Sequence, residues 1–205
     1  AAAVARARAL EPAIHAVATE DYERALRTAR AATTGAFAGV ATFVKDMADV
    51  AGLPTRNGSA ALRDAAPARA NSGLVAQLFD MGMVGLGKSV MPEFGFVPGS
   101  GSPGAEMARN PWNLDRSTGG SSAGAAALVA AGVVPVAHGA DGGGSIRIPA
   151  ACCGLVGLKA TRGRLLVPAE ARLMPVDVEV EGVLTRSVRD TALFLAEAER
   201  RHAHP

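Results

Sequence analysis

Two glycine-rich stretches that each contain serines constrain the fold of this chain more than any other feature. The first, Gly-Gly-Ser-Ser at 119–122, precedes an Ala-rich run ending near Gly132 and predicts a helix capped by one of its serines. The second, 139–145, follows an apolar run at 133–137 and ends in Ser145. Glycine permits tight turns and close backbone approach that other side chains block. With 24 glycines and 4% aromatic residues, the chain must build much of its core from small side chains.

The remaining hydrophobic patterns alternate between helical and strand periods. Residues 10–32 mix apolar and charged residues at helical spacing, and 40–44 is a β-branched run that ends at Lys45. Other patterns predict helices over 72–80 and 185–200, strands over 83–87, 133–137 and 155–158, and a long ordered loop over 95–120. Alternation of this kind predicts an α/β fold, and Trp112, the single tryptophan, is expected in the core.

Composition and charge exclude several classes of function. The 21 basic and 19 acidic residues are spread along the chain, without a basic run interleaved with aromatic residues, so nucleic-acid binding is not expected. No stretch is apolar enough to span a membrane, and Arg6 and Arg8 interrupt any signal-peptide core. Cys152 and Cys153 are adjacent, so a disulfide between them would be strained. These features predict a cytoplasmic protein without a membrane partner.

A phosphate-loop pattern runs from Gly82 through Gly87 and Lys88 to Ser89. In a phosphate loop the glycines follow a strand and open a helix, whereas 83–86 is itself strand-like and Pro92 soon follows. The pattern therefore predicts the end of a strand.

A nucleophile-elbow pattern, Gly-Ser-Ser-Ala-Gly at 120–124, would make Ser122 the nucleophile of a Ser-His-Asp esterase. The residues before it, 115–119, do not resemble the strand that an elbow requires. Two histidines, His202 and His204, lie at the extreme terminus, and His138 is next to a glycine. This mechanism stays open as an alternative.

Three further segments together resemble the signature of the amidase signature family. They are Gly119-Gly120-Ser121-Ser122-Ala123-Gly124, Gly139-Ala140-Asp141-Gly142-Gly143-Gly144-Ser145-Ile146-Arg147-Ile148-Pro149 and Cys153-Gly154-Leu155-Val156-Gly157-Leu158-Lys159. Outlying marks of the family also occur in order, among them Lys45-Asp46, Arg109-Asn110-Pro111-Trp112-Asn113 and Arg186-Ser187-Val188-Arg189-Asp190. The resemblance is specific and extends over residues 35–200.

The resemblance implies a catalytic trio with Ser145 as nucleophile, Ser121 as bridging serine and Lys45 as base, without a metal or cofactor. It also implies a cis peptide between Gly120 and Ser121. The backbone amides of Gly142, Gly143 and Gly144 are expected to form the oxyanion hole. The site is expected to be supported by Ser122, Asp141 and Arg147.

The chemistry of such a trio is coherent. A serine hydroxyl is a weak nucleophile until a base removes its proton, and a lysine serves as base only when burial lowers its pKa. Ser121 can relay the proton because a hydroxyl both donates and accepts. Successive glycines let backbone amides converge on the oxygen of a tetrahedral intermediate.

The function implied is hydrolysis of a small-molecule carboxamide through a seryl acyl-enzyme. The fold implied is a mixed central sheet with helices on both faces, divided into an N-terminal helical segment, 1–34, and a catalytic half, 35–205, that lacks the family's C-terminal half. The chain would then be a fragment of a longer protein, or a second chain would complete the fold, and the partners expected are a homodimer or that second chain. Two alternatives stay open: the glutamine-hydrolysing subunit of a tRNA-dependent amidotransferase, and an inactive truncated relic.

Overall fold

The computed structural model describes residues 1–31, 34–101, 107–166, 176 and 178–201. In chain order its elements are α1 (Ala2–Ile14), β1 (Val17–Glu20), α2 (Tyr22–Arg30), β2 (Ala41–Lys45), α3 (Gly73–Asp80), β3 (Val84–Ser89), β4 (Arg109–Asn110), β5 (Asn113–Ser117), α4 (Ala123–Ala130), β6 (Val136–Asp141), α5 (Arg147–Cys153), β7 (Val156–Gly157), β8 (Val180–Thr185) and α6 (Val188–Arg201). Short 3-10 turns cover Ala60–Leu62 and Glu93–Gly95.

The strands form mixed sheets, so the predicted α/β fold is confirmed. In one sheet β3 lies between β1, which is antiparallel to it, and β2, which is parallel. In another, β8 lies between β6 and β7 and is antiparallel to both. Strand β2 contacts β6, and the Lys45 amide donates a hydrogen bond to Nδ1 of His138 at 3.2 Å. This side-chain bond links the two sheets at the point where β2 ends.

The helix α4 occupies the centre of the core because its side chains are small. Residues 123–129 are buried, and 125–129 pack in one cluster with residues of α1, α2, β2 and β3. At Gly124 the backbone lies close to two other segments: the Gly124 amide donates to the Val90 carbonyl, and the Val90 amide donates to the Ala16 carbonyl, both at 3.0 Å. Within the described ranges, no helix combines the length and apolarity needed to cross a bilayer.

Four local predictions differ from the structure. The helical pattern at 10–32 is interrupted by β1, because pairing with β3 outweighs local helical preference there. The loop predicted at 95–120 contains the hairpin β4–β5, and the pattern at 185–200 did not reveal β8 before it. Trp112 was expected in the core, but its side chain is 73% exposed, and its indole N–H donates to the Cys153 carbonyl at 2.8 Å.

The phosphate-loop pattern forms part of β3, as its strand-like residues predict. Gly87, Lys88 and Ser89 lie inside the strand. The Lys88 amine is buried, lies 3.0 Å from Oδ1 of Asp46 and donates to Thr55 Oγ1 at 2.9 Å. This lysine is therefore occupied by an ion pair within the fold.

The close approach at Gly124 generates a stability prediction. A Cβ at this position would lie 2.6 Å from the Val90 amide nitrogen and closer still to the Ala16 carbonyl oxygen. Because both atoms belong to hydrogen-bonded backbone, Gly124→Ala should lower the free energy of unfolding by about 2 kcal/mol or more.

Gly99→Ala is the matched control, since a Cβ at Gly99 meets nothing within 4 Å. It should change the free energy of unfolding by less than about 0.5 kcal/mol. Urea unfolding of both variants measures the difference, and equal midpoints would contradict the packing argument.

Candidate active site

Lys45, the last residue of β2, carries a buried amine that contacts a serine. Its side chain is 1% exposed, and Nζ donates a hydrogen bond to Oγ of Ser121 at 2.8 Å. Burial lowers the pKa of Lys45 to about 8, although the charges of Glu179, Glu181 and Asp141 act to raise it. A substantial fraction of the amine is therefore neutral in mildly alkaline solution, and a neutral amine can accept a proton.

Ser121 follows a backbone segment in which glycine is required. Gly119 has a φ of 69°, and the Gly120–Ser121 peptide is cis, as the resemblance implies. A Cβ at Gly120 would collide with the Gly99 carbonyl group, lying 2.9 Å from its carbon. This close approach holds Ser121, which is buried, against the end of β2.

Ser122 anchors the second glycine loop beside the first. Its amide donates to the carbonyl of Ser145 at 3.2 Å, so the backbone of Ser145 lies next to the segment that contains Ser121. Ser122 precedes α4 but makes no side-chain capping bond, which corrects the prediction of a serine cap. Its hydroxyl instead lies 3.4 Å from both the amide nitrogen and the carbonyl oxygen of Ala140.

Asp141, at the end of β6, organises the loop that contains Ser145. Its carboxylate accepts hydrogen bonds from the amides of Gly144 at 2.7 Å, Ile146 at 3.2 Å and Arg147 at 3.3 Å. The Arg147 guanidinium adds two more, both at 2.9 Å. Although burial raises the pKa of Asp141, these donors lower it to about 2. The loop therefore closes around a carboxylate that is charged at neutral pH.

The three glycines predicted for the oxyanion hole divide into two groups. The Gly144 amide is engaged inside the loop by its bond to Asp141. Gly142 and Gly143 are exposed, and a Cβ at Gly143 would meet nothing within 4 Å. In this arrangement Gly142 and Gly143, rather than all three glycines, present amides outside the Asp141 network.

Within the described part of the chain, no histidine makes a hydrogen bond to Ser122, which the nucleophile-elbow alternative requires. Nδ1 of His138 accepts from the Lys45 amide, and Nε2 lies 3.4 Å from Oε1 of Glu181. His202 and His204 lie outside the described residues. The prediction that no strand precedes the serines was wrong, because β5 ends just before them. However, β5 pairs with β4 in a hairpin, and all of its residues are exposed.

Sequence reasoning missed His138 and Glu181 as neighbours of the site. Both side chains are fully buried, His138 on β6 and Glu181 on β8. Their residue types carried no motif, and their proximity depends on the antiparallel pairing of two strands about 40 residues apart in sequence.

Comparison with known proteins gives consistent relatives. The family described as "Amidase" matches residues 1–204. The "Putative amidase AmiC" of Mycobacterium tuberculosis strain H37Rv is 52% identical over 202 residues, which is 97% of this chain and 42% of that protein. The chain thus spans less than half the length of this relative.

Solved structures agree with the architecture. A 6-aminohexanoate cyclic dimer hydrolase complexed with substrate superposes with a TM-score of 0.86 at 38% identity, over 96% of this chain and 42% of the other. A bacterial aryl acylamidase of the amidase signature enzymes gives a TM-score of 0.84 at 36% identity, over 94% of this chain and 42% of the other.

The Asp141 network generates a prediction with a defined pH dependence. Asp141→Asn removes the charge and turns an amide N–H₂ toward backbone donors, so the free energy of unfolding should fall by about 1–3 kcal/mol at pH 7. Half of the Arg147 side chain is exposed, so its share of this loss is small.

Because the folded-state pKa is lowered, the contribution of Asp141 is complete above its unfolded pKa near 4 and disappears as pH falls through about 2. The difference in free energy of unfolding between wild type and Asp141→Asn, measured by urea unfolding, should therefore narrow between pH 4 and pH 3. Asp64→Asn, at an exposed carboxylate, is the control and should show no gap. A gap that stays constant with pH would contradict the assignment.

Proposed function

The chain belongs to the amidase signature family, and on that premise we propose that it contributes the nucleophile and base of a carboxamide hydrolase. The products would be a carboxylic acid and an amine or ammonia, formed through an acyl-enzyme on Ser145. The observation that carries the proposal is the 2.8 Å hydrogen bond between the buried Lys45 amine and Ser121. Because the chain covers 42% of its relative's length, the activity is proposed for the whole protein.

Acylation would proceed by a relay of two protons. Neutral Lys45 accepts the proton of Ser121 Oγ as Ser121 accepts the proton of Ser145 Oγ, and the Ser145 oxygen attacks the carbonyl carbon. The C–O bond forms while the carbonyl π electrons move to oxygen, where the amides of Gly142 and Gly143 would donate to the oxyanion.

Collapse of this tetrahedral intermediate breaks the C–N bond. The leaving nitrogen takes a proton back through Ser121 from the Lys45 ammonium, so an amine leaves in place of an unstable amide anion. Water then attacks the acyl carbon while one of its protons passes through Ser121 to neutral Lys45, and the ester C–O bond breaks as that proton returns to the Ser145 oxygen, which releases the acid.

Burial of Lys45 has an energetic cost that links stability to activity. Lowering the pKa from 10.5 to about 8 costs about 3 kcal/mol of folding free energy at neutral pH, because the unfolded chain binds the proton more tightly. The unfolded state holds that proton up to pH 10.5 and the folded state releases it near 8, so this cost falls as pH rises between those values. The neutral base becomes available over the same range.

The amidotransferase subunit and the inactive relic remain the alternatives, since both would share the trio. Turnover of a panel of aryl, aliphatic and cyclic amides by the whole protein, with glutamine alongside, separates the three. Hydrolysis of glutamine alone favours the amidotransferase subunit, and the absence of any turnover favours the relic.

Covalent labelling tests the identity of the nucleophile. A fluorophosphonate should form an adduct on Ser145, which is partly exposed, and mass spectrometry locates that adduct. Ser145→Ala should abolish labelling, while Ser187→Ala, at a serine between β8 and α6, should not. An adduct on the buried Ser122 would instead favour the nucleophile elbow.

The pH dependence of acylation tests the base. The rate should rise with pH through about 8, because the ammonium form of Lys45 has no lone pair with which to accept a proton. Lys45→Ala should lower the acylation rate by about 10²- to 10⁴-fold, and Lys45→Arg should fail equally because a guanidinium stays protonated.

Lys159→Arg makes the same change outside the trio and should preserve the rate. Ser121→Ala should also reduce acylation, and its effect should not add to that of Lys45→Ala if the two residues act as one unit. Additive losses, or near wild-type acylation by Lys45→Arg, would refute the relay.

A further inference from the structure

A buried histidine and glutamate lie directly behind the Lys45 strand end and take no part in the relay. In the antiparallel register of β6 and β8, His138 is opposite Val183, so His138 and Glu181 are diagonal neighbours on one face of the sheet. Both side chains are 0% exposed, and Nε2 of His138 lies 3.4 Å from Oε1 of Glu181.

The hydrogen bond from Lys45 assigns the tautomer of His138. The Lys45 amide N–H donates to Nδ1 at 3.2 Å, so Nδ1 must offer a lone pair. A neutral imidazole then carries its proton on Nε2, which faces Glu181. If Nδ1 carried the proton, its N–H would point at the N–H of Lys45. The Lys45 amide and the Glu181 carboxylate therefore both favour the tautomer that carries its proton on Nε2.

Glu181 is a buried carboxylate with few local partners. Among the residues that the structure describes, neither carboxylate oxygen has a hydrogen-bond partner, and Oε1 lies 3.4 Å from Nε2 of His138. A buried carboxylate in such surroundings is costly to maintain for packing alone. Its charge, however, is one of those that act on the Lys45 amine.

The charged and titratable groups around Lys45 come from β3, β6, β8 and the residue that follows β2, whereas α4, which also packs against β2, contributes none. Burial disfavours the ammonium form of Lys45, and nearby carboxylates favour it. The neighbouring cation on β3, Lys88, forms an ion pair with Asp46. These groups are His138 and Asp141 on β6, Glu179 and Glu181 at β8, and the Lys88–Asp46 pair.

We propose that His138 and Glu181 are positioning residues for the reaction proposed above: the imidazole holds the strand end that carries Lys45, and the Glu181 carboxylate sets the charge balance around its amine. This inference rests on the proposed function, because it gives the two residues a role in that reaction. Its physical content, the coupling of Glu181 to Lys45, can be measured without any substrate.

The test is a titration of the three lysines, Lys45, Lys88 and Lys159, by NMR of the ¹³C-lysine-labelled protein, assigned by single Lys→Arg variants. In wild type the Lys45 signal should change near pH 8. Glu181→Gln keeps size and polarity but removes the charge, so it should move the Lys45 transition to lower pH by about half a unit or more.

Two controls make the result specific to charge. Glu181→Asp keeps the carboxylate and should leave the Lys45 midpoint within about 0.2 unit of wild type, since the charge stays in place. Lys159 should titrate identically in all variants. An unmoved midpoint in Glu181→Gln, or equal shifts in the Gln and Asp variants, would overturn the proposal.

The role of the imidazole is read from kinetics with its own matched pair. His138→Leu removes the acceptor for the Lys45 amide and should lower kcat about tenfold or more with little change in KM, whereas His138→Asn restores an acceptor and should recover most of kcat. Equal losses in both variants would reduce His138 to packing and overturn its part.

Failure of the proposed function can be distinguished from failure of the role proposed for Glu181. If Ser145 is not labelled by fluorophosphonate, the proposed function fails, but the Lys45 titration still reports on the coupling. If labelling succeeds and the midpoint does not move in Glu181→Gln, the hydrolase proposal stands and the role of Glu181 fails. A His138→Leu variant that does not fold leaves the Glu181 titration unaffected as the deciding measurement.

Discussion

The hydrogen bond between Lys45 and Ser121 depends on keeping an amine out of water, and much of the surrounding structure supplies that environment. Water would hold the amine protonated, so β2 must end inside the molecule, covered by β6 on one side and β3 on the other. Small residues contribute to this cover, because the alanines of α4 let the helix pack closely in the buried cluster that includes residues of β2 and β3. The alanine and glycine content is thus a condition for the depressed pKa of Lys45, beyond its effect on packing.

Electrostatics connects the two halves of the site. The Asp141 carboxylate gathers five donors and so shapes the loop that contains Ser145, yet its charge also favours the ammonium form of Lys45. Loop order and basicity are therefore not independent, since the group that closes the loop opposes the desolvation that lowers the pKa of Lys45. Glu181 adds to the same balance from β8. The pKa of Lys45 is thus set by burial acting against the charges of several carboxylates.

Local pattern predicted the elements whose stability is local and failed where pairing is distant. The end of β2 at Lys45 and the strand character of the segment that became β3 follow from residue type. Strand β1 was concealed in a helical pattern, and β8 was missed altogether, because each exists through pairing with a strand far along the chain. Trp112 was misplaced for a related reason, since its indole N–H finds a backbone carbonyl at the surface.

The sequence by itself determined the family and the α/β class, because the glycine- and serine-rich segments that carry the resemblance can be read without a structure, and the resemblance in turn predicts the trio of Lys45, Ser121 and Ser145. Only the tertiary structure decided how the surrounding groups are used. It directed the Gly144 amide into the Asp141 network and the Ser122 hydroxyl to Ala140, and it brought His138 and Glu181 behind Lys45. Hydrogen-bond partners and burial depend on which strands become neighbours, and that is settled by packing of the whole chain rather than by any local run of residues.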